Sequence, residues 1–104
     1  MTVEAAGYGP PIEVPMDTPL YKAIEASIKA SDPGATVAPY LVSGYTDAKH
    51  YARLGIKTYG FTPIVLQPGF SFASLFHAVD ERIPVDGFVD GTGMLLRLMA
   101  DFCA

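Results

Sequence analysis

The sequence predicts an α/β layered domain, built from three helices and about three short strands. Three observations point there. Segments with apolar residues at helical spacing alternate with short runs rich in β-branched and aromatic residues. Proline and glycine mark several of the joins, as at Asp32-Pro33-Gly34 and Gly55. The chain has 104 residues, 50% of them apolar and 17% charged, which suits one small folded unit. That content is high enough that some apolar surface is expected to meet another domain or subunit.

The chain opens on "TVEAAG", a short strand-like piece with no partner nearby. "YGPPIEVP" then reads as an extended linker, because its three prolines fix φ and remove backbone donors. The first helix is expected over "DTPLYKAIEASIKAS", with Thr18 as cap and Pro19 at the first helical position. Leu20, Ile24 and Ile28 form one apolar stripe, and Asp32-Pro33-Gly34 ends the helix. "TVAPYLV" (36–42) reads as a strand that Pro39 pushes towards an edge or bulge. "SGYTDAKHYARLG" is a turn and short helix, capped by Thr46 or Asp47 and stopped by Gly55. "IKTYGFTPI" (56–64) is the next strand, and the longer loop "VLQPGFSFAS" follows. A final helix is expected from Val85 to Phe102, where Phe88, Thr92, Leu95, Leu96, Met99 and Phe102 recur at helical spacing. Gly91 and Gly93 weaken that helix but allow close packing.

Charge and composition narrow the functional classes. The net charge of −4 and the lack of a Lys/Arg run argue against nucleic acid. No apolar run approaches the length needed to span a bilayer. The N-terminal segment lacks a basic region followed by an apolar block, so no signal peptide is read there. Cys103 is the single cysteine, so neither an internal disulfide nor a cysteine-based zinc site is expected. It reads as a packing residue, and the cytoplasm is the expected compartment.

The polar chemistry concentrates in "SLFHAVDERIP" (74–84). Taken alone, His77 is either a metal ligand or a satisfied histidine after two apolar residues. Asp80, Glu81 and Arg82 are either site residues or a solvated turn near the N-terminus of the last helix, where acidic groups are favourable. His50 reads as solvated. Paired cysteines and His-Glu-x-x-His are both missing. Composition and spacing leave both readings of His77 open.

Four segments, in order, resemble the C-terminal portion of a known enzyme family: "VPMDTPLYKAIEASI", "SGYTDAKHYARLGIKTYGFTP", "FHAVDERIPV" and the closing helix. The family is that of the zinc-dependent exopeptidases and amidohydrolases grouped with aminoacylase, glutamate carboxypeptidase, acetylornithine deacetylase and succinyl-diaminopimelate desuccinylase. The second segment resembles that family's Gly-x-Thr-Asp-Ala turn followed by Gly-Ile-Pro-x-Tyr-Gly-Phe-x-Pro. The third resembles its His-Gly-x-Asn/Asp-Glu-Arg-Ile-Pro. The match runs from about residue 12 to the end. Ala78, Tyr45 and Lys57 depart from the pattern.

The resemblance implies a partial three-layer sandwich of the zinc exopeptidase type. Residues 1–15 would be the end of a lid domain and its linker, and 16–104 the C-terminal part of the catalytic domain. It implies hydrolysis of peptide or N-acyl amino acid amide bonds by water activated between two zinc ions. His77 would be one ligand. Asp80, Glu81, Thr46 and Asp47 would support it, and Gly44 and Lys49 would lie near substrate. The family's other metal ligands and its general base have no counterpart here. The chain is therefore expected to be inactive alone, to need the missing N-terminal part of the catalytic domain, and to form a homo-oligomer. The rival expectation is a non-catalytic binding or self-association module of the same fold.

Overall fold

In the computed structural model, residues 2, 11–42 and 44–104 are described. Two helices organise them. The first, α1, spans Pro19–Ser31. Its start follows from the predicted cap: the Thr18 hydroxyl oxygen accepts the Tyr21 N–H at 3.2 Å, and Pro19 brings no donor that would go unpaired. Its end is equally local. The Asp32 N–H reaches the Ile28 carbonyl at 2.8 Å, and the Asp32 carboxylate then turns the chain by accepting the Gly34 N–H at 3.0 Å. Two short helices follow, α2 at Ala48–Ala52 and α3 at Phe72–Leu75. The long helix α4 spans Val85–Phe102, the range the apolar spacing predicts.

The core lies between α1 and α4. Ile24 packs there with Met94 and Leu98, and all three are buried. Ser27 is buried too, and its hydroxyl donates to the Met94 carbonyl at 2.8 Å, so it costs no unpaired group. At the open end of this seam the Arg97 guanidinium donates to the Ser31 hydroxyl.

A third layer is a single extended segment, 63–65, laid across α4. It comes close because Gly87 and Gly91 have no side chains. A Cβ built on Gly91 would sit 1.5 Å from the Pro63 carbonyl oxygen, and one on Gly87 would sit 2.0 Å from that of Val65. The Val65 N–H donates to the Gly87 carbonyl at 3.3 Å. Gly91 thus has the close-packing role its position suggested. Gly93 does not, since only the tip of Arg97 lies near it.

Two expectations are corrected. The α/β sandwich is not formed: the described residues contain four helices and no strand. Segments 36–42 and 56–64 have the composition of strands, but a strand exists only when its backbone pairs with another. Tyr40 and Leu41 are 81% and 79% exposed, with no strand beside them among the described residues. The opening strand "TVEAAG" falls, apart from Thr2, outside the described residues. Secondly, α3 lies inside what reads as a loop. The period predicted for α4 marks its outer face: α4 buries Gly87, Gly91, Met94 and Leu98, whereas Phe88, Thr92, Leu95, Leu96, Met99 and Phe102 are exposed. Glycine makes the closest approach while contributing no hydrophobicity.

One further tie fixes the entry to α1. The Tyr59 hydroxyl donates to the Pro15 carbonyl at 2.6 Å. With its hydrogen so used, it accepts from the buried Thr18 hydroxyl. Thr18 therefore caps α1 and anchors Tyr59 at once.

Candidate functional site

His77 sits in a run of turns between α3 and α4. The Phe76 N–H closes α3 on the Phe72 carbonyl at 3.0 Å, and the Glu81 N–H returns to the Ala78 carbonyl at 3.2 Å. Between them His77 has φ = 55°, the single positive φ outside glycine among the described residues. Such a conformation is uncommon for a residue with a side chain and marks a position worth a functional reading. The demand for left-handed backbone falls on His77 and not on Ala78. Ala78, standing where glycine is common in the resembling family, therefore creates no conflict.

The imidazole is exposed and packs beside the Phe76 ring, with centroids 4.0 Å apart. Phe76 in turn stacks on Phe72 at 5.2 Å. Neither aromatic was singled out in the sequence. The signal that could have found them is Ser71, a capping residue type following Pro68-Gly69, which starts a turn of helix at Phe72.

The supporting residues are placed unevenly. The Asp80 carboxylate pairs with the Arg82 guanidinium, and the same guanidinium lies 6.0 Å from the centre of the Phe70 ring. Asp80 is thus turned to Arg82 rather than holding the imidazole. Glu81 lines a shallow cleft of about 240 Å³ with Arg82, Ile64, Leu66, Phe72 and Phe76. His77 is not part of its wall.

The second group lies around α2. The Thr46 hydroxyl accepts the Ala48 N–H at 3.3 Å, and the Asp47 carbonyl accepts from His50 at 2.9 Å. Thr46 thus supplies the side-chain bond at the start of α2, while Asp47 holds the cap position without a side-chain bond. The Lys49 ammonium lies 5.1 Å over the Tyr45 ring. Gly44 precedes them in the exposed turn.

The structure does not gather these residues into one metal centre. Among the described residues no group of three or more His, Cys, Asp or Glu could hold a metal ion. His77 stands without Asp47, Asp80 or Glu81 around a common point. No described helix is long and apolar enough to cross a membrane.

Comparison with known proteins decides the family. Peptidase family M20/M25/M40 matches residues 1–101. The chain belongs to that family. The M20/M25/M40 match covers nearly the whole chain and includes the first eleven residues, which the motif resemblance left out. No curated protein and no solved structure matches the chain. M20/M25/M40 membership makes this a chain of peptidase origin, yet its described residues do not fit a metal ion by themselves.

Proposed function

We propose that this chain forms the C-terminal part of the catalytic domain of a zinc-dependent hydrolase of peptide or N-acyl amino acid amide bonds, acting in the cytoplasm. One observation carries the reading: a peptidase-family match over residues 1–101 coincides with a chain whose one candidate ligand, His77, is held in a left-handed turn without companions among the described residues. A metal site needs several donors. The rest must come from outside the described residues, and no step of hydrolysis is assigned to this chain alone. Residues 1–15 would then be the end of a lid and its linker.

The test is complementation. The isolated chain should bind zinc weakly in calorimetry and should leave N-acyl amino acids and dipeptides uncleaved. A polypeptide carrying the family's other metal ligands and its general base should restore turnover, and His77→Ala should then nearly abolish it. Unchanged turnover in that variant sinks the ligand assignment. Tight stoichiometric zinc binding by the isolated chain sinks the incomplete-site reading.

A second reading, a non-catalytic binding or self-association module, has its own support in the wide apolar surface of α4 and the lack of a metal-holding group among the described residues. Failure of every complementing segment to restore turnover, with the chain folded, favours it.

A further inference from the structure

One side chain ties together parts of the chain that lie far apart in sequence. The Tyr59 hydroxyl donates to the Pro15 carbonyl at 2.6 Å, across 44 residues. It accepts from the Thr18 hydroxyl across 41. The Tyr59 ring also packs on Tyr21 of α1, with centroids 5.7 Å apart and the planes tilted by 57°. Neither the buried trio of Ile24, Met94 and Leu98 nor the His77 loop takes part in these contacts.

The tie falls at a junction. Pro15 ends the extended segment 11–15, and Thr18 caps α1. Between them Met16 and Asp17 are exposed and turn the chain. Pro11 and Pro15 stiffen the segment, so the direction it takes at Pro15 carries along to Ile12 and Val14. Both of these are half-buried while Glu13 between them is exposed, so one side of the segment rests on the body. A stiff segment joined to a helix through two exposed residues pivots there unless something holds it. The Tyr59 oxygen holds both ends of that two-residue turn, one through a backbone carbonyl and the other through the capping side chain.

We propose that Tyr59 is a latch on a hinge at Met16-Asp17. With its hydroxyl on the Pro15 carbonyl, segment 11–15 lies along the body. With that bond broken, the segment swings about the hinge while α1, α4 and the core between them stay as they are. The bond is a single one at a part-exposed site, so it opens at small cost and without unfolding the chain. The ring contact with Tyr21 keeps Tyr59 in place for the bond to close again. The proposal does not depend on the hydrolase reading.

Two nitroxide labels test it, placed at the exposed positions Glu13→Cys and Ala30→Cys in a Cys103→Ser chain. Ala30 lies in the last turn of α1 and reports the frame of the body. Double electron–electron resonance should give one narrow distance distribution in this background. Tyr59→Phe, added to it, keeps the ring and removes the latch. The share of chains at other distances should then rise about fivefold, the factor for one hydrogen bond of ordinary strength. Thr18→Val removes the helix cap but leaves the tie to Pro15. It should melt earlier and keep the narrow distribution, which separates a latch from a general support of the fold. A broad distribution in the starting chain overturns the proposal, whether or not Tyr59→Phe folds. So does an unchanged distribution in Tyr59→Phe, or broadening in Thr18→Val.

Discussion

Gly91→Ala adds one methyl group at the tightest contact in the molecule. The new Cβ would lie 1.5 Å from the Pro63 carbonyl oxygen, where ordinary contact begins near 3.4 Å. The obstacle is backbone, so no side-chain rotation relieves it. Segment 63–65 must retreat by about 2 Å, which carries the Val65 N–H out of reach of the Gly87 carbonyl, now at 3.3 Å. Losing that bond costs about 1 kcal/mol, and the overpacking costs a further ~1–3 kcal/mol. Alanine's better helix propensity returns about 1 kcal/mol. The net is a destabilisation of roughly 1–3 kcal/mol, and each kcal/mol lowers the melting temperature of a chain this size by about 4–8 °C. Gly93→Ala is the internal control. It makes the same helix gain, but its Cβ meets only the flexible tip of Arg97 at 3.7 Å, so it should raise the melting temperature. Thermal unfolding followed by circular dichroism separates the two. If Gly91→Ala melts at or above the wild type, segment 63–65 does not rest on α4 as described.

Thr18→Ala should cost about 1–2 kcal/mol in urea unfolding, since one hydroxyl both caps α1 and donates to Tyr59. Ser27→Ala should cost about 1 kcal/mol by leaving the buried Met94 carbonyl without its 2.8 Å partner; a neutral result would mean that water reaches that carbonyl. His77→Gly should leave stability within about 1 kcal/mol of the wild type, because glycine tolerates φ = 55° but gains chain entropy when unfolded. His77→Ile should be the less stable of the two by roughly 1–3 kcal/mol, since a β-branched residue resists that backbone conformation. Equal melting temperatures for the glycine and isoleucine variants would refute the left-handed assignment.

What was legible in the sequence is what is decided within a few residues. Both ends of α1 follow from Thr18-Pro19 and Asp32-Pro33-Gly34, and α2 follows from Thr46-Asp47 and Gly55, whose φ of 74° ends it. The limits of α4 follow from its apolar period. The sheet was not legible, because a strand is a property of two segments. Val37, Tyr40 and Leu41 satisfy the composition rule for a strand, but composition says nothing of whether a partner lies alongside. The buried face of α4 was not legible for a related reason. Counting apolar side chains selects Phe88 and Met99, whereas the contact with 63–65 is made by the absence of a side chain at Gly87 and Gly91. The resemblance singled out His77. Its left-handed backbone had no sequence marker, since a neighbouring Ala78 in place of glycine drew attention to the wrong residue.

The placement of His77 also depends on contacts it does not make. Seven residues (78–84) separate it from α4, and the turn that closes on Ala78 leaves little slack in that connection. On the far side, the N-terminal turn of α4 is held where Gly87 lets the Val65 backbone settle against it. On the near side, α3 is tied to the same loop by the Phe72–Phe76 stack, and Phe76 touches the imidazole itself. The cleft bordered by Ile64, Leu66, Phe72, Phe76 and Arg82 lies where these supports converge. His77 is thus positioned by one aromatic pair and one glycine contact, with no charge partner in either. A histidine held in this way has no carboxylate against its imidazole among the described residues to fix its tautomer. Under the proposed hydrolase reading, that last function falls to residues that approach His77 from outside this set.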